Sequence, residues 1–498
     1  MSMKLRQGLW KSGTASMARW NSVRRISQHL SIIAPNSSQN SLITFSVSLL
    51  KVPANYGYYT SRVNRMTNED AHQVGIMDID LQQKTVSTDG INANEELERR
   101  IGQLDEPEYK NRFLHNKVFS FSVFDGHGGS EGSTYVRNHL LENIEKINIS
   151  DESINKLFKF YQKEIGGYWR RWVRRKNLHL ISSMGLESYL VSAKGHYTVH
   201  DPELEEKKLW DLPEFKEMVS GEDFFKIRLL LGFLYTDYQF LNYEDKINDV
   251  KHQEHSHLLN AGTTATSAFF YTIEKDKSNL NGYFYEPDVL SRLVIAHVGD
   301  TRAILCDKDG VARSLTQDHH PSNPIESRRL TRYSAGLMMT DSFGEERFAN
   351  YANTRSFGDL TAKNVGITAE PEIREYLIGD MRKVEKYRRE HKNYLKKTNI
   401  LDFGGDECFL VLVSDGVTNM LSDQEVVDVI MSTTNNKGSL RGTPKEAAQE
   451  VVQFVECIGG MDNATCLVIK LGGWGKWPIL DRTGPLRESK MMNGRRER

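Results

Sequence analysis

The chain has 498 residues, 39% of them hydrophobic and 26% charged, with a formal net charge of -1. This is globular composition with apolar material for a large core, and a charge that gives no global reason to expect nucleic-acid binding. No uninterrupted apolar run reaches the roughly 18 residues of a membrane-spanning helix, and Cys306, Cys408, Cys457 and Cys466 show no CxxC spacing, which argues against structural zinc and a disulfide framework.

The chain begins with a basic, acid-free stretch. Lys4, Arg6, Lys11, Arg19, Arg24, Arg25, Lys51, Arg62 and Arg65 occur before the first acidic residue, Glu69, and serines are frequent. An Arg-rich, Ser-rich, acid-poor start reads as an organelle transit peptide, here mitochondrial, over 1–50, with an otherwise unstructured lead. The alternative is a basic tail with no address.

Past residue 50 the pattern is one of strands and helices. The apolar run 117–124 leads directly into Asp125-Gly126-His127-Gly128-Gly129 and a helical stretch. Residues 150–255 are mainly charged and helix-prone and read as an insertion. The run 292–298 ends at Gly299-Asp300, and 381–397 is a strongly basic second insertion. A charge run of that kind reads as a solvated helix face, with docking of an acidic partner or anionic membrane as the alternative. The run 409–413 ends at Ser414-Asp415-Gly416. Helices are expected over 424–431 and 444–457, the second with Thr443 as N-cap and Pro444 in its first turn. The run 465–471 follows Asp462-Asn463, and 474–498 reads as a basic tail. Short apolar runs bounded by Gly and turn residues are strands of a layered core. A length prior of roughly 150 residues per domain suggests about three domains, yet motifs spread from Arg65 to Thr465 argue for one elaborated unit over 51–473.

Four acidic sites share a position at a strand edge or in a tight turn: Glu69-Asp70, Asp125-Gly126, Asp415-Gly416 and Asp462-Asn463. A strand end fixes a short carboxylate at the rim of a sheet, and an adjacent glycine lets a backbone carbonyl face the same point. Magnesium and manganese select such oxygen donors. Singly, each Asp-Gly pair is more often a plain turn.

The wording around these carboxylates is more specific. Val123-Phe124-Asp125-Gly126-His127-Gly128-Gly129, Gly262-Thr263-Thr264-Ala265, Val298-Gly299-Asp300-Thr301-Arg302-Ala303, Leu315-Thr316-Gln317-Asp318-His319, Arg355-Ser356-Phe357-Gly358-Asp359, Leu412-Val413-Ser414-Asp415-Gly416 and Asp462-Asn463 occur in that order. The series resembles the metal-dependent protein phosphatase 2C family over roughly residues 55–472. Residues 61–70 look most like the fungal mitochondrial branch.

The resemblance implies an α+β fold, an αββα sandwich of two antiparallel sheets flanked by helices, with helical insertions. It implies a serine/threonine phosphoprotein phosphatase that uses two Mg2+ or Mn2+ ions to activate water. Asp125 would bridge the ions, with Glu69 and the Gly126 carbonyl completing one site and Asp415 and Asp462 the other. Asp300, with Asp415, corresponds to a weaker third site, and Asp70 to an outer-shell residue. Arg65 matches the phosphate-binding arginine, whose planar fork holds two phosphoryl oxygens. His127 matches the general acid for the departing serine or threonine oxygen. Val417-Thr418-Asn419 departs from the bulky pair usual in the family after Ser-Asp-Gly, without touching a ligand, and 318–344 corresponds to the variable flap.

The expected partners are phosphorylated proteins, with no nucleic acid, no transmembrane segment and a monomeric enzyme. The location expected is mitochondrial, in matrix or intermembrane space, with pyruvate dehydrogenase as the substrate suggested by the fungal members. Three rival readings are weighed. A pseudophosphatase scaffold should have lost a metal carboxylate, and none is missing; a hydrolase of small phosphate esters and a nucleic-acid-binding module have less support.

Overall fold

The apolar runs have no polar face to give to water, so each must be covered on both sides. The computed structural model stacks them into two sheets and describes residues 29–35, 42–48, 55–79, 81, 117–147, 157, 159–170, 221–242, 261–274, 283–342 and 344–496. The strands of the sandwich are β1 (Tyr56–Ser61), β2 (Ala71–Asp78), β3 (Lys117–His127), β4 (Gly262–Glu274), β5 (Leu290–Val298) and β6 (Arg302–Cys306). They continue with β7 (Ala312–Ser314), β8 (Phe357–Gly358), β9 (Glu372–Gly379), β10 (Leu401–Asp402), β11 (Phe409–Val413) and β12 (Ala464–Lys470). One sheet runs β10-β9-β5-β4-β3-β2 with β8 paired to β4, and the other runs β1-β12-β11-β6-β7.

Register follows from the alternation of side chains. Phe121 pairs with Ala268 on one side and Val74 on the other, and Leu412 pairs with Leu467. The inward residues Phe121, Val123, Phe270 and Leu293 meet Leu410, Leu412 and Leu467 between the sheets. Phe121 packs edge-on against Tyr56 and Phe270, the aromatic arrangement favoured by the ring quadrupole.

Helices cover both outer faces. On the first sheet, α1 (Glu131–Lys146) and α2 (Gly221–Leu241) bring Leu140, Ile144, Phe225, Leu229 and Phe233 onto Ala265 and Phe269. On the second, α6 (Asp423–Arg441) and α7 (Pro444–Cys457) bring Val426, Ile430, Val451 and Val455 onto Val411 and Val413. The start of α6 is a capping box between Ser422 and Glu425, and α7 starts at the Thr443 cap with Pro444 following. Between these pairs lie α3 (Pro324–Ser334), α4 (Met381–Glu390) and α5 (Lys392–Thr398), and α8 (Gly484–Arg496) closes the chain. The result is the expected αββα sandwich. Among the described residues no helix is long and apolar enough to cross a membrane.

Four sequence expectations change. The insertion expected over 150–255 contains α2, which is a core helix. Its segment is apolar on nearly every face, because the sheet lies on one side while α1 and the 160–169 segment cover others. The sheets are not wholly antiparallel: β10 pairs parallel to β9, Tyr376 opposite Leu401. The basic stretch 381–397 explains this, since α4 and α5 form the crossover that a parallel pair requires. The tail expected from 474 carries α8, docked on α6 by Lys490 with Glu425 and by Arg487 with Asp428. Within the lead, 29–35 pairs antiparallel with 42–48, where apolar β-formers such as Ile33, Ile43, Phe45 and Val47 recur among serines.

Two buried ion clusters fix the loops that cross the sheet ends. Asp237 of α2 and Lys363 are fully buried and 3.0 Å apart; Asp237 also accepts from the Tyr161 hydroxyl at 2.6 Å and the Gly358 N–H at 2.8 Å. Glu326 of α3 lies between Arg329 and Arg355, at 2.8 and 2.7 Å, and accepts from the Thr354 hydroxyl at 2.7 Å. The two guanidiniums overcome the burial penalty and hold the Glu326 carboxyl well below its usual range. Glu326→Gln leaves both arginines facing a neutral amide. It should cost roughly 3 kcal/mol, seen as a lower urea midpoint at unchanged slope. A loss below about 0.5 kcal/mol would show that the cluster does not hold the fold.

Candidate active site

One end of the sandwich gathers the acidic turns. Asp125 and Gly126 lie in the last residues of β3, Asp300 follows β5, Asp415 follows β11, Asp462 precedes β12, and Glu69 and Asp70 precede β2. The sheets therefore bring together seven positions separated by as many as 393 residues in the chain (462 minus 69).

Neutral donors hold Asp125, Asp70 and Asp300 in place. The Asp415 N–H donates to Asp125 Oδ2 at 3.2 Å, and the Thr263 hydroxyl donates to the Asp125 carbonyl at 2.8 Å. Asp70 Oδ2 accepts from Ser414 Oγ at 2.8 Å and Thr465 Oγ1 at 2.7 Å, while its Oδ1 is buried with no donor among the described residues. Asn353 donates to Asp300 Oδ2 at 2.8 Å. Gly126 passes so close to the preceding turn that a Cβ there would lie 2.4 Å from the Glu69 carbonyl oxygen. Only glycine permits that approach.

The electrostatics are unfavourable for protein atoms alone. Burial and then Asp415, Asp70 and Asp300 push the Asp125 carboxyl well above the usual range. Burial, with Asp300 the next contribution upward, raises Asp415 to about 7, and burial raises Asp70 to about 6 against its two hydroxyl donors. Asp300 is likewise raised by burial. Among the described residues no three His, Cys, Asp or Glu side chains close into a ready-made ligand set. The carboxyls instead lie close enough that each senses the others' charge. An all-oxygen donor set, like charges in low dielectric and an orphan carboxylate oxygen all fit hard divalent cations.

The rim carries the basic groups. Arg65 Nη2 donates to Asp462 Oδ2 at 2.6 Å, with both side chains partly exposed, so a cation at Asp462 would compete with this pair. Asn463 clasps the loop that bears Arg65 and Glu69: its Oδ1 accepts from the Glu69 N–H at 2.8 Å and its amide donates to the Thr67 carbonyl at 2.9 Å. His127 Nε2 lies 2.9 and 3.1 Å from the two carboxylate oxygens of Asp359. Burial pulls the imidazole pKa down, but the Asp359 charge and hydrogen bond bring it above its ordinary value.

Every site residue expected from the sequence thus lies at this one end. Asp359, Asn463 and Ser414 fall within the ordered motifs and Thr465 just after them, but nothing in the sequence marks the contacts they make here. The available signal for Asp359 was an acidic residue after glycine in an ordered motif.

Comparison with known proteins agrees with the ordered motifs. The Protein phosphatase 2C family description matches residues 193–464. Protein phosphatase 2C homolog 4 of Schizosaccharomyces pombe is 31% identical over 448 residues, 89% of this chain and 87% of that protein. Protein phosphatase 1K, mitochondrial, of Xenopus laevis is 32% identical over 220 residues, 44% of this chain and 45% of that protein. A solved serine-threonine phosphatase 2C from Toxoplasma gondii is 14% identical with a TM-score of 0.44, covering 89% of this chain and 99% of that one.

The raised carboxyls give a stability test. A group whose pKa is raised on folding adds stability below its ordinary pKa, and that stability is lost as pH rises through the folded value. Without divalent cation, Asp125→Asn should therefore raise the thermal midpoint by a few degrees at about pH 7.5, with the difference vanishing near pH 4. Manganese should reverse the order at the higher pH, raising the wild-type midpoint and barely moving the variant. A wild-type midpoint indifferent to manganese would remove the cation site.

Proposed function

Because the chain belongs to the Protein phosphatase 2C family, we propose that its serine/threonine protein phosphatase activity resides in the carboxylate cluster, on the residues that the sequence singled out. The observation that carries this reading is the set of half-buried aspartates at the strand ends, each pushing the others toward protonation, beside Arg65 and His127. Glu69, Asp125, the Gly126 carbonyl, Asp415 and Asp462 would hold two Mg2+ or Mn2+ ions, with Asp300 contributing to a third site and Asp70 orienting ligands from behind. Bound there, the cations supply a water acidic enough to attack at neutral pH and offset charge on the phosphoryl oxygens.

The chain's own residues do the rest. Arg65, once its guanidinium leaves Asp462, binds two phosphoryl oxygens and sets the ester in line for attack. His127 holds a proton for the departing serine or threonine oxygen, whose alkoxide is otherwise a poor leaving group. Asn463, Ser414 and Thr465 keep the Arg65 loop and Asp70 in register.

The catalytic unit in this reading spans 51–473, and 1–50 is the targeting segment. A mitochondrial location is supported by the acid-free basic lead and by the mitochondrial relative from Xenopus laevis. The substrate proposed is a phosphorylated mitochondrial enzyme, pyruvate dehydrogenase first, on the branch resemblance of residues 61–70.

Phosphate release from a phosphothreonine peptide by the purified chain should require manganese or magnesium and stop with chelator. Asp415→Asn should lower kcat by about 100-fold or more. Arg65→Lys should raise KM roughly tenfold, since an ammonium cannot reproduce the two-pronged contact. Folded protein inactive with both metals would overturn the reading, and a preference for small esters over phosphopeptides would reassign the substrate class. Phosphorylated pyruvate dehydrogenase left untouched by active enzyme would end that substrate proposal alone.

A further inference from the structure

We propose that Asp359 is the positioning residue for His127, directing its Nε2–H inward and leaving Nδ1 as the nitrogen that serves the substrate; this rests on the phosphatase reading above. Both Asp359 oxygens lie within hydrogen-bond distance of Nε2, whereas Nδ1 has no hydrogen-bond partner among the described residues. Asp359 is 1% exposed and the His127 side chain 39%, so the carboxylate is the inner member of the pair. A carboxylate on one ring nitrogen fixes the tautomer and the ring plane.

The surroundings are built for this contact. Asp359 holds a left-handed backbone, φ 51° and ψ 48°, where a residue with a Cβ is strained, and no cap bond repays it. The Ser356 hydroxyl donates to Asp359 Oδ2. A Cβ on Gly262 would lie 2.5 Å from His127 Nε2 and 2.8 Å from Asp359 Oδ2, so that glycine makes room for both partners. Behind them, Asp237 of α2 grips the Gly358 N–H at 2.8 Å, and Lys363 donates to the Ser356 carbonyl at 2.8 Å. The loop carrying Asp359 is thus held from the outer helix layer by a fully buried ion pair.

In the reaction, the ester P–O bond breaks as the water oxygen bonds to phosphorus. The departing serine or threonine oxygen takes the Nδ1 proton, and His127 is left neutral with Nε2–H still on Asp359. The proton lost by the attacking water passes to solvent, which reprotonates Nδ1 before the next turnover.

An alkyl leaving group needs that proton far more than an aryl one does. Asp359→Asn should therefore lower kcat on a phosphothreonine peptide by about 100-fold, with KM changed less than about threefold. The loss on an aryl phosphate should be under about fivefold. In the His127→Gln background Asp359→Asn should add almost nothing, because the two act as one unit. In the wild-type chain, histidine 15N shifts above the imidazole pKa should show His127 protonated on Nε2. An Nδ1–H tautomer, equal losses on both substrates or additive variants would overturn the positioning role while leaving the phosphatase reading intact. A folded wild-type chain inactive on both substrates would overturn both.

Discussion

Repulsion among half-buried carboxyls is the constraint around which the rest of this molecule is arranged. Asp125, Asp415, Asp300 and Asp70 sit in low dielectric where each penalises ionisation of its neighbours. No isolated turn would hold them there. Hydrophobic burial has to supply the opposing force, and the sandwich does so by clamping β3 and β11 between their pairing partners and the two helix layers. The strands end where the carboxylates begin, so the stiffest part of the fold carries the least favourable charges.

The same logic explains why few of the supporting contacts are ion pairs. Ser414, Thr465 and Asn353 hold carboxylates through neutral donors, Thr263 holds the Asp125 backbone carbonyl, and Asn463 clasps the loop around Glu69 through its side-chain amide. Cationic side chains would fix the aspartates more firmly but would also occupy oxygens that a divalent cation needs. Arg65, the exception, pairs with the half-exposed Asp462 at the rim, where exchange of partners is cheap.

Much of this was legible in the sequence. Strands such as 117–124 and 409–413 announce themselves as apolar runs that stop at or just before Asp-Gly, and the ordered motifs reach Asp125, Asp300 and Asp415, with Asp70 closing the stretch 61–70. The helix α2 was not legible, because charged segments on both sides mask its apolar stretch and its own pattern has no polar stripe to mark a surface helix. The parallel pairing of β10 was hidden for a different reason. A two-residue strand carries no periodicity, and its direction is set by the α4–α5 crossover rather than by its own side chains. Asp359 was in view but mute: its role depends on a left-handed turn and on a histidine 232 residues away, neither of which spacing reveals.

The two buried ion clusters bracket that turn, and their placement says what they are for. Glu326 grips Arg355 just before it, and Asp237 with Lys363 grips Gly358 and Ser356 within it. Buried ion pairs are poor sources of net stability, since apolar replacements of equal volume often do as well. Their advantage is directional. Each fixes hydrogen-bonding atoms at definite positions, and removal of any partner leaves a buried charge exposed to nothing. A loop that must hold one strained aspartate against one imidazole needs that kind of restraint more than it needs further apolar packing. The α2 helix thereby acquires a second duty, covering the sheet with its phenylalanines while its buried Asp237 holds the loop at the edge of the reacting centre.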